Sequence, residues 1–245
     1  MLLRTSLVLL VAALPNLHSR AQALEGILVE TYHQRMLGKD TLTTYRIYVD
    51  LAPQMSVQMV FGSEGHPLRI ESTTEFFNDT LNGVKYADRL KAARLNDGLC
   101  ALDSWLTIGA ASDAHMGIPL DRDTDGSLLR SKRFKRSTLA RRDGLVPATV
   151  KSVTDFKCQP GYLGNIRGGT ILCVDCAWSA IGGGLGVTAD NMVLIAQITT
   201  TGKLSYELNL QIGKPGGGFL RYVAHAPQGD EILFQGLAKM PDRLK

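Results

Sequence analysis

No GxSxG elbow of a serine hydrolase, no GxxxxGK[ST] phosphate loop and no GxGxxG turn between a strand and a helix occurs in this chain. The reactions that a short motif can announce are therefore unsupported, and the glycine-rich stretches IGGGLG (181–186) and GKPGGG (213–218) read as loops at strand ends. Histidine is scarce. His33, His66, His115 and His225 follow the first 23 residues, and none has a partner at metal-ligand spacing. Cysteine is equally sparse, and the Cys173-Val-Asp-Cys176 pair lacks the second CxxC or HxxxH that a zinc site needs. Beyond residue 23 no run approaches the 18 or so apolar residues of a membrane-spanning helix. Helical periodicity is nearly missing too, with Tyr86–Leu95 (YADRLKAARL) as its one short example.

What is present begins with MLLRTSLVLLVAALPNLHSRAQA. A cation at Arg4, an apolar core from Leu7 to Leu14 and a small-x-small exit at Ala21-Gln22-Ala23 form the pattern of a secretory signal peptide over residues 1–23. Its apolar run is too short for a permanent anchor. The expected product is a secreted protein, extracellular or periplasmic, with one domain over 24–245. Without Arg4 and Arg20 the chain holds 25 basic against 23 acidic residues, so overall charge says little about partners. Seven of the basic residues fall between Arg130 and Arg142; the rest of the mature chain is acidic.

The strongest periodicity is KLSYELNLQIG, in which Leu204, Tyr206, Leu208, Leu210 and Ile212 alternate with polar residues. The continuous apolar run MVLIAQITT before it reads as a buried strand, joined to it as a hairpin through Thr201-Gly202. The same alternation marks Tyr45–Leu51 and Met55–Phe61, broken at Pro53, and weaker strands are expected at 26–32, 68–77, 102–108, 150–156, 218–224 and 231–234. Many strands separated by Gly, Pro, Asn and Asp, without alternating helices, predict an all-β, antiparallel β-sandwich of jelly-roll-like type. One long polar loop, about 112–148, shows no strand pattern and is longer than ordinary connections.

Taken together, the stretches LEGILVETYH, TYRIYVDLAPQMSVQMVFG, HPLRIESTTEFFN, LDSWLTIGAAS, AWSAIGGG, MVLIAQITTTGKLSYELNLQIG and GGFLRYVAH resemble an uncharacterised family of secreted Bacteroidetes proteins, many carrying a C-terminal sorting domain for type IX secretion. The resemblance covers most of the chain after residue 23. It implies export and carries no catalytic residue. No sorting domain precedes Lys245, so export by the general secretory route alone is the expectation.

Chemistry concentrates in the long loop, DRDTDGSLLRSKRFKRSTLARR. Asp121, Asp123 and Asp125 stand at positions 1, 3 and 5 of a calcium-loop pattern, Gly126 at 6, where the chain turns sharply, and Ser127 at 7, where a carbonyl ligates. Position 12 is Lys132 rather than glutamate, so a closing carboxylate would come from another loop, Asp113 or Asp143 for instance. The pattern fits Ca²⁺ or a solvated aspartate turn. Arg130, Lys132, Arg133, Lys135, Arg136, Arg141 and Arg142 then form an arm with too few apolar residues to fold alone. It is expected to be exposed, with binding to an anionic polymer or an anionic lipid surface as the functional alternative to a solvated loop; no specific nucleic acid is expected as partner.

In an exported chain at least one disulfide is expected, joining Cys158 to Cys173 or Cys176 through a loop worth about 3 kcal/mol in the chain-entropy relation. Two functions compete on these residues. One is a non-enzymatic binder of a cell-surface, matrix or glycan component. The alternative is a polysaccharide-directed hydrolase using two carboxylates among Glu30, Asp50, Glu71, Glu75, Asp103 and Glu207.

Overall fold

In a computed structural model, residues 22–157, 163 and 168–239 are described; most of the segment expected as a signal, residues 1–21 of 1–23, and Cys158 lie outside them. Sixteen strands form within the described residues, in chain order β1 (Leu24–Leu37), β2 (Asp40–Leu51), β3 (Ser56–Gly62), β4 (Leu68–Ser72), β5 (Trp105–Leu106), β6 (His115–Gly117), β7 (Leu145–Pro147) and β8 (Val153–Phe156). They continue as β9 (Thr170–Cys173), β10 (Cys176–Gly184), β11 (Met192–Thr200), β12 (Leu204–Glu207), β13 (Leu210–Gly213), β14 (Phe219–Val223), β15 (Ile232–Leu233) and β16 (Ala238–Lys239). All ladders are antiparallel except the short β14–β15 pair, and the fold is all-β, as the alternating pattern predicts.

Two layers enclose the main core. The first is the sheet β1-β2-β11-β5; the second joins a six-stranded sheet, β15-β14-β13-β3-β10-β8, with a four-stranded one, β16-β12-β4-β9. Ile47, Val49, Ile195 and Ile198 of the first layer meet Val57, Val60, Trp178, Leu210 and Ile212, with Leu68, Ile70 and Leu204 of the smaller sheet, in one apolar cluster. β11 carries MVLIAQITT, apolar on both faces, because both faces are covered. On its other side Leu194, Tyr48 and Tyr32 pack under residues of the long connections, among them Leu90, Leu102, Leu129, Phe134, Leu139 and Leu145. This second cluster is what positions the candidate site.

Four local expectations are corrected. β11 and β12 are not a hairpin: β11 lies between β2 and β5, whereas β12 lies between β4 and β16 in the other layer. The long amphipathic strand is split at Leu208-Asn209. There the Asn209 amide donates to the carbonyls of Phe61 and His66 and accepts from the N–H of Ala224, which sends β12 and β13 to different sheets.

In place of the helix over Tyr86–Leu95 stand two 3-10 turns, Ala87–Arg89 and Ala92–Arg94. Asp113 is the reason. Its N–H takes the Leu90 carbonyl and its carboxylate takes the Ala92 N–H, both groups that an α-helix would have used internally. The polar stretch 112–148 does contain strands, since β6 pairs with β7 from His115↔Pro147 to Gly117↔Leu145. Finally, a disulfide forms, but it joins Cys173 to Cys176 across the turn between β9 and β10 rather than either to Cys158. So tight a loop restrains the unfolded chain less and is worth about 2 kcal/mol in the same relation. Cys100 is free and buried, its thiol pushed up to about 12 by burial and by Asp79, Asp103 and Asp97.

Candidate functional site: a clamped basic strap

The aspartates of the opening motif part company. Asp121 is exposed and pairs with Arg122 at 2.7 Å, and Arg122 also holds Asp190. Asp125 is exposed as well, its carboxyl held above the usual range by burial and by Asp123 and Asp143. Asp123 is buried, and its two oxygens are taken by backbone: Oδ1 accepts the Gly126 N–H, Oδ2 the N–H groups of Asp143 and Gly144 at 2.8 Å each. Gly126 turns at φ 86°, in the left-handed region its place in the motif predicts. Among the described residues no group of three or more His, Cys, Asp or Glu side chains is placed to hold a metal ion.

Asp143 answers Asp123 from the far end of the loop. Buried itself, it accepts the N–H groups of Leu128 and Leu129 on Oδ2 and of Leu145 on Oδ1, with the Ser127 hydroxyl 3.2 Å from Oδ2. Burial raises its pKa against the opposing pull of those amides. Each aspartate thus binds the backbone beside the other, and together they close the neck of a loop running from Gly126 to Gly144. Ser127, whose backbone carbonyl is the expected ligand, donates its hydroxyl to the Leu139 carbonyl across the loop.

The neck is gripped from below by the first sheet. Arg46 of β2, almost fully buried, reaches the carbonyls of Asp143 and Gly144 through Nη1, donates to Gln197 through Nε at 2.9 Å and lies 3.5 Å from the centroid of the Tyr32 ring. The Tyr32 hydroxyl donates to the Asp143 carbonyl at 2.7 Å. Gly144 allows this approach: it sits at φ 60°, and a Cβ there would collide with Arg46 and the Ile118 carbonyl. Glu30 on β1 is half-buried, accepts the Leu120 N–H, and has its pKa raised by burial against that bond and Arg46.

Between its ends the loop is pinned as a strap. Leu129, Phe134 and Leu139 are buried in the second cluster, and His33 meets the edge of the Phe134 ring at 5.7 Å between centroids. Asn96 accepts the N–H groups of Arg130 and Ser131 and donates to the Leu128 carbonyl. The seven cations, Arg130, Lys132, Arg133, Lys135, Arg136, Arg141 and Arg142, are all exposed. None of them enters an ion pair among the described residues. The expected free arm is therefore corrected in its backbone and kept in its charges: the segment packs on the domain and turns its cations outward.

Two surface hollows are relevant. One of about 290 Å³ is lined by Thr138, Arg141 and Arg142 at the end of the strap. The other, about 180 Å³, lies among Ile108, Met116, Leu185 and Val187 with Lys151 beside them. Among the described residues neither is lined by a carboxylate. Of the six carboxylates offered for hydrolysis, Asp103 is buried and accepts the N–H groups of Asp79 and Val84; burial nonetheless raises its pKa to about 7. Glu71 lies 3.7 Å from Arg69.

No family model matches the chain, and neither a curated protein nor a solved structure shows significant similarity to it.

Proposed function

We propose that the protein, exported by its N-terminal segment, is a non-enzymatic β-sandwich that binds an anionic extracellular polymer, a matrix or surface glycan, on the outer face of the basic strap. One observation carries the reading: seven exposed cations, without ion-pair partners among the described residues, stand on a backbone that three buried side chains hold in place. Like charges on a loose arm would spread apart. On a pinned strap they stay crowded, and their repulsion is relieved by a polyanion rather than by chain motion. Because the strap is ordered beforehand, little conformational entropy is lost when a polymer settles on it.

The test is titration with dextran sulfate over a range of ionic strength. Binding should be present at low salt and fall steeply as salt screens the array. Changing Lys132, Arg133, Lys135 and Arg136 to Glu should abolish it while leaving the thermal melt nearly unchanged, since all four side chains are exposed. Absence of binding at low salt, or binding indifferent to the four changes, overturns the proposal. Release of new reducing ends from an anionic polysaccharide would favour the competing hydrolase.

A further inference from the structure

We infer that the Cys173–Cys176 disulfide is a redox-responsive latch: an external dithiol opens it through Cys173 without unfolding the domain, and opening frees strand β9 from its neighbours. The inference does not depend on the polyanion reading. It starts from where the bridge lies. The two sheets of the second layer meet at a seam that the chain crosses between β3 and β4, between β12 and β13 and, through the disulfide turn, between β9 and β10. Cys173 pairs with Leu68 in the small sheet, and Cys176 pairs with Gly62 in the large one. The seam is closely packed. A Cβ on Gly62 would collide with the Cys173 carbonyl, and the Asn209 amide ties the β12–β13 crossing to the carbonyls of Phe61 and His66.

The strands joined by the bridge are unequally held. β10 is laddered to β3 on one side and β8 on the other, and its fully buried Trp178 donates through Nε1 to the Thr107 carbonyl at 3.0 Å. β9 is an edge strand with a single ladder, to β4, and of its four residues only Ile171 is buried. Ahead of it the carbonyls of Gly168 and Gly169 accept the N–H groups of Phe76 and Ser72. So short a loop adds little to global stability, and its effect is greatest on the local step in which β9 leaves β4.

The two cysteines also differ in access. Cys173 is half-buried beside the exposed Val174 and Asp175, whereas Cys176 is buried. One thiolate of the dithiol attacks the Cys173 sulfur; the Cys173–Cys176 bond breaks, and Cys176 departs as a thiolate and takes up a proton. The second thiol of the reagent then attacks its own sulfur in the mixed disulfide, releasing Cys173 and leaving the reagent as a disulfide. Two electrons have passed to the pair. Burial disfavours the departing Cys176 thiolate, so a monothiol adduct reverts, and a dithiol, which completes the second step within one molecule, is the class of reductant that opens the latch. Cys100 is buried and its thiol is pushed up to about 12, so it does not compete.

The test uses dithiothreitol on the native protein. Accessible thiols are first blocked with iodoacetamide, dithiothreitol is added, and the thiols released are labelled in denaturant with N-ethylmaleimide and located by peptide mapping. Cys173 and Cys176 should both take the label while the native near-UV dichroism persists. Hydrogen exchange of amides 170–173 should rise roughly thirtyfold, the ratio equivalent to the chain-entropy value of this loop, with β2 and β11 unchanged. In Cys176→Ser the remaining Cys173 should react with a disulfide reagent in the folded protein; in Cys173→Ser the remaining Cys176 should stay silent until the chain is unfolded. A pair that resists dithiothreitol until the melt is a structural staple and overturns the latch. Reduction that abolishes the native signal, reduction that leaves exchange at 170–173 unaltered, or faster reaction at Cys176 than at Cys173 overturns it equally.

Discussion

At the scale of single residues, the acidic side chains do backbone work. Asp123 takes three N–H groups from Gly126, Asp143 and Gly144, so Asp123→Ala should leave these donors without a partner and cost about 3 kcal/mol in a urea melt. Asp125→Ala, at an exposed position, should cost about 0.5 kcal/mol or less. Neither difference should depend on calcium: the melting temperature is expected to be the same with millimolar Ca²⁺ and with EDTA. A calcium-dependent rise that disappears in Asp125→Ala would instead show that the turn is a calcium loop. The turn at Gly126 was legible because alternating aspartates before a glycine fit both a metal loop and an amide-binding turn. The partner was not legible. Asp143 lies 20 residues from Asp123, and nothing in local spacing says that their carboxylates will each bind the backbone beside the other.

At the scale of elements, the strap depends on anchors that fall on no regular period. Leu129, Phe134 and Leu139 are spaced by five, which matches neither the alternation of a strand nor the 3.6-residue turn of a helix, so the sequence reads as a polar arm. Phe134→Ala should remove about 3 kcal/mol of anchoring and open the segment roughly a hundred times more often. Tryptic cleavage between Arg130 and Arg142 should then accelerate accordingly in the folded protein. An unchanged cleavage rate would mean that the strap is not held by its aromatic anchor. The long strands were legible because their alternation extends over many residues: β2 and β11 match the patterns at Tyr45–Leu51 and MVLIAQITT. Short strands such as β6 and β7 offer three residues each, too few for a period, and owe their pairing to the closed neck beside them.

At the scale of the whole molecule, the fold class was legible while the way the chain distributes strands between layers was not. Thr201-Gly202 looked like a hairpin turn because two strand patterns flank it; only the covering of β11 on both edges sends the following strand elsewhere. The start of the domain carries a related consequence for export. Ala23 is buried and accepts the Ala52 N–H at 3.2 Å, and Leu24 is fully buried. Cleavage after Ala23, as the small-x-small pattern suggests, would create an ammonium group at a site without solvent, a costly burial. If the segment is a cleaved signal, mass spectrometry of the processed chain should therefore find a terminus at Gln22 or earlier; a mature protein starting at Leu24 would show that this end rearranges.

Arg46 joins the strap to β2, a strand laddered to β1 on one side and β11 on the other. Mechanically, that makes the loop a handle fastened to a central beam. Tension applied to the strap would be delivered to the neck and through Arg46 to an interior strand, so the load would be shared by two ladders instead of peeling one exposed edge. A surface loop built this way can be tugged by what it holds without the domain unravelling from its rim.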